Sequence, residues 1–205
     1  MRISVLPIAE CHALQESVKG NNHDVTLPPL EFIMHESMMD LDTSILSASS
    51  HIYIADSLRI CRIAEDSVRP ILLMALPVKL SLVCNKNKHI DSIPDLRTRI
   101  VAITRWSQLE HWINQLAHGA SVDTADIYQA QINSIPLRFT MLRDSLIDAA
   151  ILPDPWADSL VALGHTRLCD TTVYGMGLYI TPSAAKDSIL RCHAQQLCRH
   201  YSKQK

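Results

Sequence analysis

The stretch "PILLMALPVKLSLVCNK", Pro70 to Lys86, decides how the chain is divided. It stays apolar for longer than an ordinary strand needs, and Pro77 together with its β-branched residues counts against a helix. We read it as a strand that leaves one sheet and enters another. Before it the pattern repeats: a strand over Ile3 to Leu6, a helix over Glu10 to Lys19, and a turn at Gly20-Asn21-Asn22. A second strand follows at Leu30 to Met34, a helix at Met38 to Leu46, and a third strand at His51 to Ala55, after which Ser57 can cap a helix through Ala64. Alternating strands and helices of this kind pack as a sheet of parallel strands with helices on its faces.

After the turn at Asn85 to Lys88 the rhythm starts again. A short helical turn at Pro94 to Leu96 leads to a strand at Arg99 to Ile103, and Thr104 or Ser107 can cap the next helix. That helix carries Leu109, Trp112, Ile113 and Leu116 at i, i+3, i+4 and i+7, with Gly119 near its end. A weaker strand at Ile127 to Ile132, a helix at Leu137 to Leu146, a strand at Ala149 to Leu152 and a helix at Ala157 to Leu163 complete a second α/β sheet. Tyr174 to Thr181, carrying Gly175 and Gly177, is a further extended run, and Ala184 to Tyr201 is a final amphipathic helix. Two sheets joined by two extended crossings predict two lobes, residues 1–77 plus 175–205 and residues 78–174. Ligands of open α/β sheets sit beyond the carboxyl ends of strands, so the functional residues are expected there.

Composition narrows the classes. With 205 residues, 47% of them hydrophobic and 20% charged, the chain can bury a substantial core. Nineteen basic against 21 acidic residues give a net charge of −2, which is no footprint for nucleic acid. The one dense basic run, Arg191 to Lys205, reads as cations near a helix C-terminus. Six scattered cysteines form no Cys-x-x-Cys pair, and no spacing matches a metal-binding helix, so no metal and no cofactor are expected. No stretch approaches the ~20 apolar residues of a membrane span. Met1 leads directly into a strand rather than an export signal.

The strand ends nominate the site. In "IDAAILPDPWADSLVALGH", Ile147 to His165, Pro153 and Pro155 cannot donate to a ladder, so the strand stops and Asp154 and Trp156 are presented at its carboxyl end. Asp154 is read as the cap of the next helix or as a ligand contact, and Trp156 as a packing residue or a stacking face. Thr104, Arg105 and Trp106 lie at the matching place after another strand, where a helix N-terminus and an arginine suit an anion. Arg105 also reads as a solvated surface residue. Earlier in the chain the strand ends offer Ile8, Glu10, Asp56 and Ser57. Glu10 and His12 resemble an acid and a base, although no spacing fixes them together.

Two segments carry a family resemblance. "SIPDLRTRIVAI" resembles the approach to the second lobe of type II periplasmic binding proteins, with Thr98 where the family commonly has glycine. "MLRDSLIDAAILPDPWADSLVALGH" resembles the helix, strand and Leu-Pro-Glu-Pro loop of their NMT1/THI5-like branch. The resemblance is strongest over residues 93–165. It implies an α/β, two-lobed periplasmic binding protein-like type II fold hinged by the two crossings, and a non-enzymatic role. The expected ligand is a small organic solute, of anionic class where charged, taken by hinge closure, with an ABC transporter permease as partner. Its expected compartment is the periplasm, free or lipoprotein-anchored, if an export signal has been removed, and otherwise the cytoplasm. The alternatives are a cytosolic enzyme or ligand sensor on the same fold, and an interaction protein whose ligand site is closed by side chains.

Overall fold

The structure is a computed structural model and describes residues 1–20, 28–65 and 68–202. The chain divides into two compact units, Met1–Pro77 with Tyr174–Lys205, and Val78–Val173. The expected turn at Asn21-Asn22 and the end of the basic tail lie outside the described residues.

In the first unit β1 (Arg2–Val5), α1 (Ala9–Gly20), β2 (Glu31–Met34), α2 (Met38–Leu46), β3 (Ile52–Asp56) and α3 (Ser57–Ile63) follow in order. β1 pairs in parallel with both β2 and β3. Every residue of β3 is buried, which is why "IYIAD" reads as an unbroken apolar run with its one acid at the end. That acid, Asp56, is the cap of α3, accepting from Leu58 N at 2.9 Å and Arg59 N at 3.4 Å. The cap expected at Ser57 therefore sits one residue earlier, because a carboxylate at a strand tip outcompetes a hydroxyl already inside the helix.

The second unit contains β5 (Ile100–Ile103), α4 (Gln108–Gly119), β6 (Tyr128–Gln131), α5 (Ile135–Arg143), β7 (Ala149–Pro153) and α6 (Trp156–Ala162). β5 is parallel to β6 and β7. Ser107, not Thr104, caps α4, and Leu109, Trp112, Ile113 and Ala117 form its buried stripe. Leu116, expected there, is only half-buried. α5 begins before its expected start because Ser134 caps it, with Pro136 in its first turn. Thr98 has φ +60°, so the position where the resemblance expects glycine does adopt the left-handed conformation, here with a β-branched residue.

Both crossings are single long strands, β4 (Ile71–Cys84) and β8 (Thr166–Ile180). β4 pairs antiparallel with β7, and β8 pairs antiparallel with β3. Two separate sheets were the expectation; the hydrogen-bonded order is instead one unbroken ladder, β2-β1-β3-β8-β4-β7-β5-β6, because the two crossing strands are themselves neighbours. β8 also begins eight residues earlier than the apolar run suggests. The final helix is two, α7 (Pro182–Lys186) and α8 (Ser188–Ser202), since Asp187 Oδ1 accepts from Ile189 N and Leu190 N and restarts the helix.

A hydroxyl cluster inside the first unit gives a pH prediction. Ser4 Oγ lies 3.0 Å from His35 Nε2, donates to Ser50 Oγ and shares a bond with Ser44 Oγ, while Tyr53 OH donates to the Ser44 carbonyl. Burial pushes the His35 imidazole below its ordinary 6.5, opposed only by Asp40. The unfolded chain then binds the proton first, so stability falls as pH drops through about 6.5 toward the lower folded value. Urea midpoints from pH 8 to pH 5 should fall less steeply in His35→Gln than in the parent chain. Parallel curves would show that His35 does not contribute.

Candidate functional site

The carboxyl ends of β5, β6 and β7 meet the starts of α4, α5 and α6, and most of the candidate residues of the second unit lie there. Thr104 is fully buried, and its hydroxyl accepts from Arg138 Nη1 at 2.8 Å. Arg105 is exposed, and it lines an open depression of about 450 Å³ beside β6 with Tyr128 and Gln129. Trp106 holds φ +56°, is half exposed, and donates its backbone N–H to Glu110 Oε2 at 2.6 Å. A left-handed residue between a strand and a helix cap turns the chain sharply, which throws the indole outward.

Pro153 is the last residue of β7, buried and opposite Leu80. Asp154 does not cap α6. Pro155 occupies the cap position with no side-chain bond to the helix, which leaves Asp154 one residue too early to reach the free N–H groups. Its carboxylate lies instead 3.6 Å from Lys79 Nζ and 3.9 Å from an Arg167 nitrogen. Lys79 also lies 3.7 Å from Asp170, and Arg167 bonds Asp158, so two cations are shared among three carboxylates. Trp156 is half-buried with its ring edge-on to Phe139 of α5, centroids 5.4 Å apart and planes at 64°. That contact is a packing role, and it leaves part of the indole in solvent.

The first-unit candidates behave differently. Ile8 is 2% exposed and packs its apolar side chain into the core. Glu10 sits in the first turn of α1 with Oε2 buried among Leu14, Met74 and Tyr201. No hydrogen bond or ion pair joins it to the exposed His12, so the acid–base pair does not form. Asp56 is committed to capping α3, and Ser57 is the first residue of that helix, beside Tyr179, whose pKa burial raises. Among the described residues no group of side chains could hold a metal. Burial pushes the Cys11 and Cys84 thiols up to about 12, which keeps both protonated and unreactive at neutral pH.

The sequence reading missed Arg138. Its side chain is 2% exposed, donating from Nη1 to Thr104 Oγ1 at 2.8 Å and to the Ile132 carbonyl at 2.7 Å. It thereby ties the tips of β5 and β6 to the first turn of α5. The signal was present: Arg138 falls in the buried stripe Ile135, Arg138, Leu142, where an apolar residue belongs.

No protein-family model matches the chain, and no curated protein sequence matches it. Solved structures do. The alkanesulfonate-binding protein SsuA from Xanthomonas axonopodis pv. citri, bound to MOPS, superposes with a TM-score of 0.76 at 12% identity, over 99% of this chain and 72% of that one. The periplasmic aliphatic sulphonate binding protein SsuA from Escherichia coli gives 0.72 at 13% identity, over 99% and 71%. The periplasmic nitrate-binding protein NrtA from Synechocystis PCC 6803 gives 0.81 at 12% identity, over 98% of this chain and 60% of that one. At such identities the likeness speaks for architecture. The chain has the α/β fold of these periplasmic binding proteins.

Proposed function

We propose that this chain is a solute-binding protein that captures a small organic molecule at its strand tips without making or breaking bonds. The observation that carries the reading is the fold match along 98–99% of the chain to proteins described as binding alkanesulfonates and nitrate. The residues expected to take part are those left with exposed surface at the tips: Arg105, Trp106 and the open part of Trp156. Residues 1–77 with 175–205 would act as one lobe and 78–174 as the other, closing on the ligand about the two crossings, since contacts completed only on closure drive such motions. The NMT1/THI5-like assignment rests on the segments around Pro94 and Pro153. With it come a periplasmic compartment and a permease partner.

The test is retention followed by stabilisation. Native mass spectrometry of the purified protein identifies any small molecule that co-purifies, and a panel of sulfonates, carboxylates and pyrimidines is then titrated in by calorimetry. A true ligand at a hundredfold excess over its Kd stabilises by about 2.7 kcal/mol, which raises the melting temperature by roughly 5–10 °C in a chain of this size. Scattering should show compaction on addition of the same ligand. No heat, no thermal shift and no compaction across the panel overturns the proposal.

A further inference from the structure

We propose that Arg138 is the charge-bearing residue of the ligand site, and that the ligand carries a carboxylate, sulfonate or comparable oxyanion which pairs with the unused edge of its guanidinium. The inference rests on the solute-binding reading and names the ligand class that this reading leaves open. A guanidinium has five donors, and a buried one without a counterion is costly to keep. Arg138 is 2% exposed, yet no carboxylate among the described residues pairs with it. Both of its hydrogen bonds leave from Nη1 and go to uncharged oxygens, the Thr104 hydroxyl and the Ile132 carbonyl.

The remaining edge, Nε and Nη2, is the one that forms two parallel bonds with a planar or tetrahedral oxyanion. Nε is out of contact with water and has no acceptor, and no described residue accepts from Nη2. Asn133, which follows the carbonyl that anchors Arg138, likewise has a buried Oδ1 without a partner. The Asn133 oxygen is an acceptor and faces no anion; the Nε donor is what a missing oxyanion leaves behind, because buried polar groups are otherwise nearly always bonded. Thr104 adds a second group. Its oxygen accepts from Arg138 while its own proton reaches no acceptor among the described residues, so it can donate to the same anion. Burial lowers the Arg138 pKa to about 9, which leaves the group cationic at neutral pH and raises what an arriving anion relieves.

The alternative is a structural clamp, in which Arg138 only ties β5 to β6. The two are separated by calorimetry with methanesulfonate, acetate and sulfate against dimethyl sulfone, the uncharged analogue of methanesulfonate. At least one anion should bind, the sulfone should not, and binding should weaken as salt is raised. Arg138→Met should lose about a hundredfold or more in affinity for that anion. Should Arg138→Met fail to fold, Arg138→Lys and Thr104→Val serve, with roughly tenfold losses expected while melting stays cooperative. Anion affinity indifferent to these substitutions, or retention of uncharged solutes alone, overturns the inference and leaves the solute-binding reading standing. Absence of binding to every charged and uncharged solute overturns both.

Discussion

Arg59→Met is expected to lower the unfolding free energy by about 3–5 kcal/mol at neutral pH, because it strands a buried carboxylate. Arg59 of α3 bonds Asp42 of α2, and the two side chains are only 6% and 11% exposed. Burial already raises the Asp42 pKa, with the guanidinium holding it back. Without Arg59 that opposition is gone, and the folded carboxyl takes up a proton more readily than the unfolded one. The folded variant then gains relative to the unfolded chain as pH falls, so its deficit should be largest at pH 7 and smaller near pH 5. The double variant Asp42→Leu with Arg59→Met should recover most of the loss, since a packed apolar pair can replace a buried ion pair. Urea unfolding at both pH values checks this. A loss below about 1 kcal/mol, or one independent of pH, would show that water reaches the pair.

The second large effect is expected in β7. Leu152 is fully buried and sits opposite Ser81 of β4, in a strand whose five residues are all buried. Leu152→Ala removes apolar surface and leaves a cavity that neighbouring strands, held in register, fill poorly, so about 2–5 kcal/mol should be lost. Leu163, at the C-terminus of α6 and 48% exposed, is the control, and its change to alanine should stay within about 0.5 kcal/mol. Equal losses at both positions would mean that burial does not set the cost.

Much of the fold was legible because periodicity reports burial directly. α4 shows its apolar spacing openly, α2 ends where its pattern ends, and β4 was read as a crossing from length and Pro77 alone. The first half of β8 was not legible. "TRLCDTTV" shows no clean alternation and is half-buried to exposed throughout, a pattern that matches a loop as well as a strand with one wet face. The site divides in the same way. Strand ends could be located from prolines and caps, so Thr104, Trp106 and Asp154 were singled out. Their partners could not, because Lys79 and Arg167 reach Asp154 only through pairing between distant segments. Arg138 was hidden for another reason: charge inside an apolar stripe was averaged into the helix instead of being read as an anomaly.

The division of the chain also sets an order of assembly. Residues 78–173 are one continuous piece, whereas the other unit is made from both ends of the sequence. On the ribosome the inner piece is finished while the outer one still lacks its last strand and helices. β3 has no β8 to pair with, and the Ser17 carbonyl of α1 has no His200 to bond, until residues 176–200 emerge. The segment made ahead of the inner piece therefore waits, until that piece is complete, for neighbours made after it.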